Sequence, residues 1–175
     1  MIKSFIISVF IIFCATLIES TILSNMAFLF VIPDLVLICS IYFAMLNGKV
    51  YGQSNGIISG LFLDFITGVP LGFNCIYRTI IGYLFGIFTD TIIISGIIMP
   101  MLSVGIATII KRLLILLIAV FYPKLNLMIY GFISYDFLYE FVINIILAPF
   151  IFRFLNFFKK SLLIKDTKDM IDNVQ

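Results

Sequence analysis

The sequence contains no histidine. Any catalysis or metal binding that depends on imidazole is thereby excluded. Charge is scarce too: 11% of the 175 residues are charged, and the net charge is +2. That is too little positive charge to draw nucleic acid to the chain. Cysteine occurs only as Cys14, Cys39 and Cys75, far apart and within or beside apolar stretches. An odd number without metal-ligand spacing argues against both a disulfide framework and a zinc site. The Gly-x-Ser-x-Gly elbow, the phosphate-binding Walker loop and the His-Glu-x-x-His zinc motif are all missing. Asp64 stands in the text GLFLDF, not in the Gly-x-Gly-Asp motif of intramembrane aspartyl proteases. The sequence therefore assigns no catalytic or metal-ligating residue, calls for no cofactor, and reads as a non-enzyme.

Apolar side chains are what the sequence has in excess, at 63%. Soluble domains run nearer ~45–50% apolar and ~25% charged. A chain of this size has too little interior to hide the surplus, so lipid must be its solvent over most of its length. The fold class is an all-α integral membrane protein, with a transmembrane domain over residues 1–158 and a polar cytoplasmic tail over 159–175.

A spanning helix needs about 20 apolar residues, fewer when its ends are amphipathic. Six segments qualify: about 4–23, 34–46, 50–66, 73–88, 92–121 with Pro100 near its start, and 127–152 with Pro149 near its end. The first begins like a signal peptide, but the run is long and no small-x-small cleavage site follows it. It is expected to be an uncleaved transmembrane helix. Six spans put both termini on one side, which collects Lys3, Lys49, Arg153, Lys159, Lys160, Lys165 and Lys168, whereas the opposite loops hold only Lys124. Positive charge marks the cytoplasmic face, so both termini are expected there.

The segment GQSNGIISGLFLDFITG carries Gly52, Gly56, Gly60, Asp64 and Gly68 at four-residue spacing. That spacing lines one slightly drifting helical stripe. Small residues so placed let another helix backbone come close, where lipid gives no hydrophobic drive to association. The stripe is either a packing groove within the chain or a groove for a partner's helix. A second ladder follows with Arg78, Gly82, Gly86 and Asp90. The turn at 67–73 folds the two segments into a hairpin. Asp64 and Arg78 lie about equally far from its middle and are expected to pair.

In the last hairpin Lys111 and Arg112 face Glu140 and Asp136 at similar offsets from Leu125, and the stripe continues through Asn144 and Ala148. These charges either neutralise one another inside a bundle or line a proton or solute path, with Asp136 and Glu140 as its proton sites. Glu19 is expected to reach interfacial water. Asp34, after Pro33, is placed to cap a helix start.

The stretches IPDLVLI (32–38), NGKVYGQSNGIISGLFLDFITGVPLGFN (47–74) and IIGYLFG (80–86) resemble the MreD family of rod shape-determining proteins, as does the helix end APFIFRFLNFFKK (148–160). The family-motif positions matched here are Asp64, Gly68, Leu71 and Gly72, with Pro33. The resemblance implies a non-enzymatic membrane scaffold of the bacterial cell-wall elongation complex, in the inner membrane. Its main partner would be MreC, linked directly or indirectly to MreB, RodA and RodA's transpeptidase, with membrane lipid around it and no nucleic acid. Partner helices would dock on the small-residue grooves. The family also resembles in fold the substrate-binding subunits of energy-coupling-factor transporters. A vitamin-binding transporter subunit is therefore the alternative function.

Overall fold

A single glycine turns the chain from one helix directly into the next. Gly48 has φ +92°, and its N–H closes the end of one helix on the Ala44 carbonyl at 2.9 Å while the next helix starts at Lys49. The computed structural model describes residues 2–22, 31–89, 96–120 and 134–163. Among these the elements are α1 (Ile2–Leu17) with a π-turn (Ile18–Ile22), α2 (Leu35–Asn47), α3 (Lys49–Thr67), α4 (Phe73–Gly86), α5 (Ile98–Ala119), α6 (Tyr135–Phe157) and α7 (Lys159–Leu162). Segments 90–95 and 121–133, where the fifth and sixth runs were expected to begin and the fifth to end, lie outside the described residues, as do 23–30 and 164–175.

Local chemistry explains the boundaries. The Asp34 carboxylate accepts from the Leu37 amide at 2.7 Å and so caps α2. Ser134 does the same for α6 through Phe137. α3 ends at Gly68, whose φ of +68° is a left-handed conformation that glycine adopts without strain. Pro100 sits in the first turn of α5, where a missing N–H costs nothing.

The helices assemble around α2. Every residue from Val36 to Leu46 is buried, so this helix has no outward face. A helix apolar all round belongs at the centre of a bundle. Its 13 residues reach only about 20 Å, short of the ~30 Å hydrocarbon core. α1, α3, α4, α5 and α6 all contact it. Tyr42 packs edge-on against Phe152 of α6 at 5.2 Å between ring centres. α1 turns Ser4, Ser8, Ile12, Ala15 and Thr16 inward, and the Tyr51 hydroxyl of α3 sits 2.8 Å from both the Ser4 carbonyl and the Ser8 hydroxyl. Among the described residues, three helices are long and apolar enough to cross a membrane: Ile2–Thr21, Ile98–Ala119 and Tyr135–Phe157.

The tightest contact is between α3 and α4. A Cβ built on Gly52 would stand 2.2 Å from the Gly82 carbonyl oxygen, and one on Gly82 would stand 2.2 Å from that of Gly52. Gly56 lies against the Arg78 carbonyl, Gly60 against the backbone at Cys75, and Gly86 against the backbone at Lys49. The two glycine ladders thus face each other within one chain. Of the two readings of the stripe, a packing groove within the chain is the one these contacts fit: at Gly52, Gly56, Gly60, Gly82 and Gly86 the helices α3 and α4 occupy the space with each other's backbone, which leaves no room there for a partner's helix.

α7 is a second departure. Residues 159–163 were expected to start a polar tail, yet Leu162 is fully buried and its carbonyl accepts from the Asn47 amide group at 3.0 Å. The Leu163 carbonyl accepts from the Ser4 hydroxyl at 3.2 Å. The apolar pair in KKSLL holds this turn to the bundle.

Candidate functional site: a buried ionic cluster

At the end of the bundle where α2 begins, four helices bring charges together. Arg78 of α4 donates from Nη2 to both oxygens of Asp34, at 2.8 and 3.0 Å. Lys111 of α5 donates from Nζ to Asp34 Oδ2 at 2.6 Å and to Glu140 Oε1 of α6 at 2.6 Å. Asp34 also gives its own backbone N–H to Asn144 Oδ1 of α6 at 2.9 Å. One carboxylate therefore ties α2 to α4 and α5 directly, and its backbone ties it to α6.

The burial is graded. Asp34 and Arg78 are 3% and 2% exposed, whereas the side chains of Lys111 and Glu140 keep 15% and 20%. The cluster is closed on the α2–α4 side and opens slightly between α5 and α6. The Tyr77 ring lies beneath the guanidinium, 5.6 Å from centroid to Cζ. Arg78 Nε and Nη1 are buried and meet no acceptor among the described residues. Glu19 is not simply directed to interfacial water: its Oε2 accepts from the Val36 amide at 3.2 Å, in the first turn of α2.

The expected Asp64–Arg78 pair does not form. Asp64 accepts instead from the Gly72 amide at 2.7 Å, the Asn74 amide at 2.9 Å and the Asn74 side chain at 2.8 Å. The reason is register. Arg78 lies level with Gly56, not with Asp64. Eight residues of helix separate those levels, about 12 Å at 1.5 Å per residue. α3 runs past the start of α4, and the chain folds back beside it through Gly68 and Gly72, both at positive φ. Asp64 thus caps the first turn of α4, where the unpaired amides and the helix dipole favour a carboxylate.

The matched motif now has a physical content. Asp64, Gly68 and Gly72 build one reversal, while Leu71 projects from its tip, 63% exposed. Pro33 is buried before the cap residue and its carbonyl accepts from Leu35 at 3.1 Å.

Of the other expected residues, Lys111 and Glu140 meet as described above. Arg112 places its guanidinium 5.6 Å from the centre of the Phe137 ring. Asp136 is exposed in the first turn of α6. Ala148 is fully buried below Asn144 on the same stripe. Asp34 as the hub, and Thr108, whose hydroxyl lies 3.4 Å from Asn144 Nδ2, went unnoticed in the sequence. The available signal was a carboxylate opening a helix with no other polar face.

The fold and this cluster define an all-helical membrane protein whose buried carboxylates Asp34 and Asp64 are met by its own cations and amides. More particularly, residues 1–158 match the family model of rod shape-determining protein MreD, and the chain belongs to that family. It matches no curated protein and no solved structure.

Proposed function

We propose that this protein is a non-enzymatic scaffold of the bacterial cell-wall elongation complex that binds MreC and connects it to the peptidoglycan synthases and MreB. Family membership over 1–158 carries the reading. In it, six helices span the inner membrane, both termini are cytoplasmic, and residues beyond the bundle form a cytoplasmic tail. The structure supports a scaffold in two ways. The α3–α4 hairpin closes backbone on backbone, and the Asp34 cluster joins four helices, so the chain offers partners a rigid body. Partner helices would then use faces other than the glycine ladders. Docking would favour one state of the synthase only by binding that state more tightly.

The test is depletion together with purification. Cells depleted of the protein should become wider or round, and the tagged protein should bring MreC with it from detergent extracts. Normal width combined with no MreC in the purified fraction would overturn the scaffold.

A second reading has one observation in its favour. The two unpartnered donors of Arg78 are the kind of group that receives a solute's oxygen. They fit a membrane subunit that binds a vitamin for an energy-coupling-factor transporter and shares that fold. Loss of uptake of a single vitamin on depletion, with cell width unchanged, would select it.

A further inference from the structure

We propose that the end of the protein opposite the ionic cluster binds the headgroups of anionic phospholipids. Among the described residues, charge is segregated along the molecule. Among the described residues the carboxylates are Glu19, Asp34, Asp64, Asp136 and Glu140. All belong to the end where α1 and α3 finish and α2 and α6 begin. The other end carries Lys3, Lys49, Lys159 and Lys160, with Arg153 one to two turns before the close of α6, and no carboxylate among the described residues.

The fold gathers these cations from distant parts of the sequence. Ser4, next to Lys3, donates to Leu163; Asn47, two residues from Lys49, donates to Leu162; Tyr51 reaches Ser4. α7 is thereby held against the start of α1 and the α2–α3 corner, and Lys159 and Lys160 come with it. Lys3, Lys49, Arg153 and Lys160 are exposed. Like charges gathered at one end repel one another, and an anionic ligand bound there would relieve them.

The neighbours of the cations identify that counter-charge. Phe157 is 80% exposed and Phe158 44% exposed, directly before the Lys159–Lys160 pair. Rings exposed beside lysines at the end of an apolar helix suit the level where acyl chains meet headgroups. A soluble polyanion would satisfy the lysines but make no use of the rings. A cluster of this size at a helix end is the pattern that attracts acidic lipid, at about 1 kcal/mol per cation. The inference does not depend on the scaffold role and would hold for the transporter reading too.

The test uses the full-length protein, stripped of lipid in detergent and offered phosphatidylglycerol and phosphatidylcholine at equal concentration. Retained lipid is read by native mass spectrometry. The parent should retain phosphatidylglycerol preferentially. Lys159→Gln with Lys160→Gln should weaken that preference by about fivefold per lysine removed, while Lys159→Arg with Lys160→Arg should keep it. If the glutamine variant does not fold, Lys3→Gln with Lys49→Gln, at exposed positions, gives the same readout. Equal retention of both lipids by the parent would overturn the proposal. So would equal loss in the arginine and glutamine variants, or displacement of phosphatidylglycerol by soluble polyglutamate at matched charge, which would point to an acidic protein partner.

Discussion

Arg78 and Asp34 stand 44 residues apart in sequence, yet one guanidinium nitrogen contacts both carboxylate oxygens, at 2.8 and 3.0 Å, with each side chain almost wholly buried. Lys111 shares the same carboxylate. Removing Asp34 therefore strands two cations at once and uncaps α2. Breaking a buried ion pair from one side costs about 3–5 kcal/mol. Asp34→Ala should lower the melting temperature in detergent more than any other single change in the cluster. Asp34→Asn should be milder, since its side-chain oxygen still caps Leu37. A melting temperature equal to the parent's for both would show that the cluster does not hold the bundle together.

Asp64 should behave differently, because its partners are amides and not a cation. Asp64→Asn keeps one acceptor oxygen for the start of α4, and Asp64→Ala keeps none. The loss for alanine should be about 1 kcal/mol, the usual size of a cap. Combining Asp64→Arg with Arg78→Asp should rescue nothing: the two sites lie at different levels, and the second change breaks the contact with Asp34. Recovery of folded protein in that double variant above either single one would reinstate a direct pair.

These two residues show where the sequence is readable. Four-residue spacing gives the face of each helix, so the meeting of the two glycine ladders was legible before their contacts were known. Charges at similar offsets from Leu125 likewise placed Lys111 near Glu140. What spacing does not carry is how far one helix slides along another. The hairpin middle looked like Pro70–Leu71, but α3 overshoots α4 and the return stretch folds beside it, which moves Arg78 level with Gly56. Nor does spacing show which third helix a side chain meets across the bundle. Asp34 read as a helix cap, which it is. Its contacts with Arg78 and Lys111 depend on the three-dimensional arrangement of α2, α4 and α5.

The glycine contacts predict intolerance even of alanine. At Gly52, Gly56, Gly60, Gly82 and Gly86 an added Cβ would meet backbone atoms between 2.2 and 2.5 Å away, and backbone cannot rotate aside. At Gly105 the nearest atom is Ile145 Cδ1 at 3.2 Å, the tip of a side chain that can shift. Folded yield in membranes should fall sharply for Gly52→Ala and Gly56→Ala and change little for Gly105→Ala. Ile57→Leu, on the exposed face of α3, is the neutral control. Similar yields across all four would mean that α3 and α4 do not pack through these ladders.

Glu140 closes the partly open side of the cluster, and its loss should cost less than that of Asp34. Lys111 has two acceptors at 2.6 Å, so Glu140→Gln leaves its ammonium on Asp34. With side chains 15% and 20% exposed, the pair is also partly screened by whatever lies outside. Comparable contacts in membranes average about 0.6 kcal/mol. A double-mutant cycle of Glu140→Gln with Lys111→Met, read by melting temperature, should give a coupling near that size. A much larger coupling would mean that the opening between α5 and α6 is sealed from solvent, and that Glu140 carries as much of the structure as Asp34. No coupling at all, with Asp34→Ala still damaging, would leave Asp34 alone as the counter-ion of Lys111 and release Glu140 for a partner or a proton.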